Sequence, residues 1–351
     1  MPTPANEMRP FALRASTPDE YARLNLFKNV LRSEILPDDP PFPCEEDIHR
    51  WQGMPELINE AAWAVWDDSS KRILAFGQAD IYQTGDNPHL IDVRIEVLPE
   101  FRRRGLGRLL LRRIADHARH ERRSLMIMEC NDRVPAGGAF LERIGGRRGL
   151  EEPINQLRLA ELNRDLIQRW MESQAALAAD FVMGLWDVPY PEEQLQALAD
   201  LYQVVANDQP RDALNMEDIN YSPAMMHQFD AAQRAGGDQR WSLYVTRRSD
   251  GLLAGISEVF WNPNRPAILW QGLTGVLPDH RNRGLGRWMK AAMLTKILRE
   301  RPEVQFIRSG NATSNAPMLK INRALGFKQL IAWVIWQVKL DAVQDYLSSR
   351  I

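Results

Sequence analysis

The chain has 351 residues, about twice the size of an average domain, so a single small domain is excluded. Apolar residues make up 44% and charged residues 26% of the chain, which excludes a wholly disordered or fibrous protein. The 44 basic and 46 acidic residues leave a formal charge of −2, so no overall field attracts nucleic acid or anionic lipid.

In chain order, the first half predicts a helix, three strands, a helix, a strand and a short helix. Apolar spacing and strand-forming residues predict these elements at 18–34, 61–68, 72–83, 89–99, from Leu106 onward, at 124–130 and at 138–144. A connecting helix is predicted over 163–179.

The second half repeats this order. The predicted elements are a helix at 191–206, a hairpin of strands at 241–248 and 252–261, a long strand at 267–278, a helix at 285–298, a strand at 304–310 and a helix at 318–325. Asp250-Gly251 between the first two strands is a typical hairpin turn.

One segment recurs almost unchanged. Residues 97–108 read VLPEFRRRGLGR and residues 276–287 read VLPDHRNRGLGR, with nine of twelve positions identical. The offset, from 97 to 276, is 179 residues, and Gly145 and Gly326 further on are 181 residues apart. The length is therefore explained by two copies of one fold, which we divide into domains at 1–161 and 162–351.

The glycine-rich turn between a strand and a helix is typical of anion binding. Helix N-termini carry unpaired N–H groups and a positive dipole end, and glycine lets a phosphate approach the backbone. The alternative is a tight turn with solvated arginines. The Walker pattern is absent, and the dinucleotide pattern fails because Leu110 and Met289 occupy the third glycine position.

At these residues the sequence resembles the GCN5-related N-acetyltransferase (GNAT) family, whose signature is R/Q-x-x-G-x-G/A behind V-x-P. Arg102, Gly105 and Gly107 match it, and so do Arg281, Gly284 and Gly286. The resemblance implies two tandem α/β (α+β) domains in a mycothiol-synthase-like arrangement, each with a mixed, mostly antiparallel sheet flanked by helices. It also implies that the turn holds the pyrophosphate of acetyl-CoA.

The family's donor site maps onto both halves. In the first half the implied donor contacts are Val97, Arg102, Arg103, Arg104, Gly105, Leu106, Gly107 and Arg108. In the second half they are Thr274, Val276, Arg281, Asn282, Arg283, Gly284, Leu285, Gly286, Arg287, Asn311 and Asn315. The backbone N–H groups of Val97 and Val276 would stabilise the oxyanion. For Asn311 and Asn315 the alternative is a cap for the following helix.

The catalytic residues depart from the family pattern. The tyrosine that protonates the thiolate falls on Leu141 in the first half and on Asn322 in the second. Asn322 donates a hydrogen bond but has no proton to lose at neutral pH. The candidate bases are the strand acids Glu258 and Asp92, for which the alternative is a solvent-facing position.

The predicted function is an acetyl-CoA-dependent N-acyltransferase whose second domain is catalytic and whose first domain is degenerate. The acceptor is an amine of a small molecule or peptide. The alternative is a non-catalytic acyl-CoA sensor or scaffold, and nucleic-acid binding is the least favoured reading because the net charge is near zero. We expect a cytoplasmic monomer or homodimer without a metal or a membrane span.

Overall fold

The computed structural model describes residues 7–69, 71–172 and 174–349. The strands are, in chain order, β1 (Glu7–Pro10), β2 (Ile58–Trp66), β3 (Ile73–Tyr82), β4 (Leu90–Val97), β5 (Leu125–Asn131), β6 (Arg147–Glu151), β7 (Ile154–Arg158), β8 (Phe181–Trp186), β9 (Gln239–Arg247), β10 (Leu253–Trp261), β11 (Ile268–Val276), β12 (Phe306–Gly310), β13 (Lys328–Ile331) and β14 (Trp333–Lys339).

The helices follow the same order. They are α1 (Pro18–Ile35), α2 (Cys44–Gln52), α3 (Leu106–His120), α4 (Pro135–Arg143), α5 (Arg164–Glu172), α6 (Gln174–Leu177), α7 (Leu195–Val205), α8 (Pro223–Ala235), α9 (Leu285–Glu300), α10 (Ala316–Leu325) and α11 (Leu340–Ser348). None of the helices in these described ranges is long and apolar enough to cross a membrane.

The strands form two sheets that confirm the predicted mixed, mostly antiparallel architecture. In the described residues the first sheet has the order β1-β2-β3-β4-β5-β14-β6 and the second the order β13-β7-β12-β11-β10-β9-β8. The parallel neighbours are β4 with β5 and β11 with β12, while the other pairs are antiparallel. The same order of elements therefore builds the centre of both sheets.

The chain divides into two compact units that exchange strands. The first unit contains the described residues up to Glu151, Arg211–Asp218 and the described residues from Trp333 onward; the second contains Glu152–Pro210 and Ile219–Ala332. Strand β14 inserts between β5 and β6, and β7 inserts between β12 and β13. The predicted boundary at 161/162 separates the sequence repeats, whereas the compact units interleave, because the Gly-turn repeat contains no information about where the outer strands pair.

In each unit helices cover both faces of the sheet. In the first, the apolar side chains of α3, such as Leu110 and Ile114, pack on Gly77 of β3, whose missing Cβ leaves them room. Phe27 of α1 packs on Phe76 at the opposite face. In the second unit α9 covers one face and α7 the other. This layering brings the start of α3 and of α9 to the end of a central strand.

Candidate functional site

Both Gly-rich turns adopt the same backbone conformation. In the first unit Arg103 and Gly105 have φ of 62° and 85°, and in the second Asn282 and Gly284 have φ of 61° and 96°. Gly105 and Gly284 are the residues before α3 and α9, and no side chain caps either helix. A left-handed residue at this position is accessible to glycine at little steric cost.

The N-terminal ends of these helices are open. Apart from the chain neighbours and the backbone of the same helix, a Cβ placed on Gly105 or Gly286 would meet no atom of the described residues within 4 Å. The side chains of Leu106 and Leu285 are buried beneath the turn, so the backbone forms its outer surface. Because the first N–H groups of a helix have no partner inside it, each turn presents donors to a bound anion.

A gap opens between two parallel strands beside each turn. In the first unit the paired residues of β4 and β5 end at Asp92↔Ile127, although β4 continues to Val97. In the second they end at Trp270↔Arg308, although β11 continues to Val276. We call these gaps the first cleft and the second cleft. Each exposes one edge of a strand, whose backbone groups can bond an extended ligand that leads to the Gly turn.

The second cleft has a β-bulge that the first lacks. The register of β10 on β11 shifts between Ser257 and Val259, whereas β3 pairs with β4 without a shift from Ala75↔Val97 to Asp80↔Asp92. Bulges re-aim backbone groups and are common beside active sites. The two clefts therefore differ in the backbone that lines them.

The first arginine of each motif holds the turn to its strand. Nε of Arg102 donates to the carbonyl of Val97 at 3.1 Å, and Nε of Arg281 donates to that of Val276 at 3.0 Å. The Arg102 guanidinium also pairs with Glu34, and that of Arg281 with Asp208 at 2.8 Å. These contacts favour a positioning role for both arginines rather than that of a free cation.

The other motif cations differ between the units. Arg108 donates to the carbonyls of Leu347 and Ser349, both at 2.8 Å, and so caps the end of α11. Its counterpart Arg287 is exposed, and the described residues offer it no hydrogen bond or ion pair. Arg104 stacks on Phe101 at 5.0 Å, Arg283 pairs with Asp180, and Arg103 and Asn282 are exposed.

The predicted base Glu258 lies on β10, within the irregular stretch that faces β11. It is 1% exposed, and its carboxylate accepts hydrogen bonds from the hydroxyls of Tyr190, Tyr202 and Ser242. We call these four residues the hydroxyl cluster. Burial and the charge of Glu258 raise the pKa of both tyrosines well above the usual value. Both carboxylate oxygens of Glu258 thus accept hydrogen bonds within the protein.

The predicted base Asp92 lies at the closed end of the first cleft. Burial raises its pKa to about 6, an effect that Arg94 opposes and that Asp80 and Glu129 reinforce. Arg94 pairs with Asp80 at 3.1 Å. A carboxyl with a pKa near neutrality has the property that a general base needs.

The asparagines that follow β12 have local partners. The side chain of Asn315 accepts from the N–H of Met318 at 3.3 Å, which is the helix-cap alternative. Asn322 is 1% exposed and donates to Asn311 at 2.7 Å, and its Oδ1 has no partner among the described residues. Thr274 bonds the hydroxyl of Ser257 at 2.9 Å.

A cavity of about 390 Å³ lies in the first unit between α1, α2 and the strands β3 and β4. Charged and apolar residues line it, among them Lys28, Arg94 and Trp51. In the second unit Val205 packs so closely on Gly275 of β11 that a Cβ there would lie 1.9 Å from it. At the offset of 179, Gly275 corresponds to Glu96 of β4, which lines the cavity. The two units therefore differ at this position: the first has a cavity beside Glu96, and the second has Val205 packed on Gly275.

The buried partners of the second cleft are not evident from the sequence. Lys290 of α9 is 3% exposed and donates to Oε1 of Gln271 at 3.2 Å. The signal in the sequence is a lysine between Met289 and Ala291 on the apolar side of a helix, where the first half has Leu111. Tyr190 and Tyr202 had no signal, because their partner Glu258 is distant in sequence.

The comparisons with known proteins agree with this geometry. The model of the acetyltransferase (GNAT) family matches residues 29–145. The solved structure of a tandem GNAT protein from the clavulanic acid biosynthesis pathway, without AcCoA, is 22% identical with a TM-score of 0.75, over 96% of this chain and 99% of that chain. No curated protein matches the sequence.

Two further solved structures share the fold. A GCN5-related N-acetyltransferase from Sphaerobacter thermophilus is 14% identical with a TM-score of 0.63, over 95% of this chain and 96% of that one. A GCN5-related glucosamine N-acetyltransferase region of a fungal multi-domain enzyme is 14% identical with a TM-score of 0.65, over 95% of this chain and 38% of that one. The family match supports acyltransferase activity in general. The chain thus has the fold of tandem GNAT proteins, and its residues 29–145 match the model of the acetyltransferase (GNAT) family.

Proposed function

We propose that the protein is an acetyl-CoA-dependent N-acyltransferase whose donor binds in the second cleft. The observation that carries this proposal is the open Gly turn of α9 at the end of the free edge of β11, with Arg287 unpaired beside it among the described residues. The donor supplies an activated acyl thioester, and the chain supplies its binding and orientation.

The residues of the second unit fit such a donor. The N–H groups at the start of α9 and the guanidinium of Arg287 bind the pyrophosphate, since both present positive charge at the same turn. The free edge of β11 bonds the extended arm, and its N–H groups up to Val276 stabilise the oxyanion. The bulge opposite Ser257 and Val259 re-aims this part of the strand.

The first unit is the weaker donor site. Its Arg108 donates hydrogen bonds to the last carbonyls of α11, where the negative end of the helix dipole lies. This guanidinium is therefore already paired within the protein. Its first cleft has no bulge, and Leu141 stands where the family has a tyrosine. We therefore infer one donor molecule per chain.

Calorimetric titration with acetyl-CoA tests this stoichiometry. We expect one site per chain and a loss of affinity of about tenfold in Arg287→Met, since one charge-assisted contact is removed. The matched control Arg108→Met should leave the affinity unchanged. Two equivalent sites, or equal losses in both variants, would contradict the assignment.

Release of free thiol in the presence of a panel of amines tests the reaction. We expect turnover with a small-molecule amine or a peptide amine, and we expect Gly284→Glu to abolish it because the carboxylate repels the pyrophosphate. The matched change Gly105→Glu should retain most of the activity. The cytoplasmic location and the state of monomer or homodimer remain predictions.

A non-catalytic acyl-CoA sensor is the second candidate. It is favoured by the hydroxyl cluster, which occupies both oxygens of Glu258, and by Asn322, which cannot exchange a proton. Tight binding of acetyl-CoA without thiol release over the whole amine panel would support the sensor and contradict the transferase.

A further inference from the structure

Lys290 is a buried amine that has a single hydrogen-bond acceptor among the described residues. It lies on α9 between the buried residues Met289 and Ala291, and its Nζ donates to Oε1 of Gln271 at 3.2 Å. Burial lowers its pKa to about 7. A lysine that titrates near neutrality exchanges a proton readily under physiological conditions.

The position of Gln271 places this amine at the closed end of the second cleft. Trp270↔Arg308 is the last pair of β11 with β12, and Gln271 is the next residue of β11. Its Nε2 donates to the carbonyl of Glu258 at 2.5 Å and to Oγ1 of Thr274 at 3.2 Å. The side chain of Gln271 therefore links Lys290 to the bulged backbone where the strands diverge.

No second charge among the described residues compensates Lys290. The elements packed most extensively on α9 are α5, β9, β10 and β11. Strands β8 and β12 share apolar clusters with it; β8 has no charged residue, and Nε of Arg308 on β12 donates to Gln156 at 2.9 Å. Strand β11 has no ionisable residue, Glu258 of β10 belongs to the hydroxyl cluster, and Arg240 of β9 pairs with Asp230. On α9 itself, Lys296 pairs with Glu300. The charged residues of α5 are exposed: Arg164, Asp165, Arg169 and Glu172.

Acyl transfer from a thioester needs a proton at the sulfur. In the second unit, Asn322 has no proton to donate, and the carboxylate of Glu258 is enclosed by hydroxyl groups. The corresponding position in the first unit is Leu111, a fully buried apolar residue of α3. The buried amine is thus present only in the repeat whose Gly turn keeps its free arginine.

We propose that Lys290 protonates the thiolate that leaves during acyl transfer in the second cleft. This inference rests on the proposed function. The acceptor nitrogen bonds to the acyl carbon, the carbon–sulfur bond breaks with its electron pair on sulfur, and the ammonium of Lys290 gives its proton to that sulfur. The acceptor nitrogen releases one proton to solvent, and Lys290 regains one from solvent, so the products are an amide and a thiol.

Steady-state kinetics of Lys290→Met and Lys290→Arg over a range of pH test the role. In the wild type, kcat should fall as the pH rises through about 7, because the ammonium is the donor. Lys290→Met should lower kcat by about tenfold or more with little change in KM. Its pH profile should lack the fall of kcat near pH 7. Lys290→Arg should lower kcat to a similar extent and should also lose the fall near pH 7, since a guanidinium keeps the positive charge but does not release its proton.

Leu111→Met is the matched control, since it changes the same helix position in the first unit. It should retain the kcat and the pH profile of the wild type. The proposal would be overturned if kcat of Lys290→Met still fell near pH 7, or if its kcat equalled that of the wild type. Thermal unfolding is the check that the variants fold. Methionine is chosen because it fills the space of lysine without a buried charge.

The acidity of bound CoA gives a readout that needs no turnover. Thiolate absorbance of bound CoA, with desulfo-CoA as the blank, should show a lower thiol pKa in the wild type than in Lys290→Met, because a nearby ammonium favours the thiolate. Equal thiol pKa values would overturn the inference alone. Absence of CoA binding would overturn the proposed function and this inference together. A shifted thiol pKa without turnover would place Lys290 beside the bound thiol but would overturn the transferase and, with it, the role of proton donor.

Discussion

Burial sets the protonation behaviour of the ionisable residues around both clefts. It raises the pKa of Asp92 to about 6 and lowers that of Lys290 to about 7, because desolvation disfavours the charged form of each group. Glu258 is buried too, yet three hydroxyl donors surround it. Residues of the same type in the sequence therefore have different chemistry in the fold.

Asp92→Asn should stabilise the protein above neutral pH. The folded pKa of about 6 lies above the ordinary aspartate value of 3.8, so the folded state favours the protonated form and stability is lost as the pH rises through about 6. The amide removes this penalty. Urea unfolding at pH 7.5 should show a gain of about 1–2 kcal/mol, discounted for the partial exposure of the group.

At pH 4 the same substitution should have little effect on the free energy of unfolding, because Asp92 is then protonated in the folded state. The exposed Asp38 provides the control, since Asp38→Asn should change stability at neither pH. An equal gain at both pH values would show that the charge of Asp92 is not the cause.

Each Gly turn precedes the first residue of a helix, and its backbone conformation is the same in both repeats. Its two glycines have different tasks, because Gly284 has φ of 96° whereas Gly286 lies in the first turn of α9 with open space beside it. Gly284 is needed for its left-handed backbone conformation, and Gly286 leaves room for a ligand. A change to alanine, which adds no charge, should therefore affect mainly stability at Gly284 and mainly ligand binding at Gly286.

Gly284→Ala should cost about 1–2 kcal/mol of stability, because an L-residue is strained in the left-handed region. Gly286→Ala should leave stability within about 0.5 kcal/mol, since alanine favours helix, and should weaken acetyl-CoA binding by about tenfold because the methyl group occupies the anion's approach. Thermal unfolding and calorimetry measure the two effects separately.

The matched control for binding is Gly107→Ala in the first unit. Its Cβ would make ordinary contacts of 3.9 Å with Ile95 and Phe140, so the variant should fold and keep the affinity for acetyl-CoA. A loss of affinity as large as that in Gly286→Ala would place the donor in the first unit.

The sequence predicted the existence and order of the helices and strands better than their ends. The helix predicted at 18–34 is Pro18–Ile35, because Thr17 forms a capping box with Glu20. The helix predicted at 191–206 begins with a 3₁₀ turn, and α7 proper starts at Leu195. The connecting segment 163–179 contains α5 and α6, with Ser173 outside the described residues. Ends depend on caps and packing, which apolar periodicity does not report.

At the scale of the whole molecule, each sheet contains a strand that comes from the other sequence repeat. Strand β14 pairs with β5 along its whole length, from Trp333↔Asn131 to Lys339↔Leu125, and its Val338 is fully buried. Strand β7 pairs with β12 and with β13. Each sheet thus needs a strand that the sequence repeat assigns to the other half.

Fragments 1–161 and 162–351 should not fold when they are produced separately. The first lacks β14, so β5 and β6 lose the strand between them, and the second lacks β7. Unpaired buried backbone groups and the lost apolar contacts destabilise both sheets. We expect no cooperative thermal unfolding by circular dichroism for either fragment alone, and recovery when the two are refolded together.

A chain in which residues 1–151 are joined by a flexible linker to 333–351 is the control, since it restores β14 to its sheet. It should unfold cooperatively. Cooperative unfolding of fragment 1–161 by itself would show that the first unit does not need β14.

The sequence by itself determined the features that depend on local constraints: two repeats, their order of elements, and the Gly turn, because positive φ and a helix start require particular residues at a fixed spacing. Only the tertiary structure decided which strands complete each sheet, that α11 takes Arg108, that hydroxyl groups enclose Glu258, and that Lys290 lies buried beside the second cleft. Each of these follows from pairing or burial between residues far apart in the chain, and periodicity contains no record of such contacts.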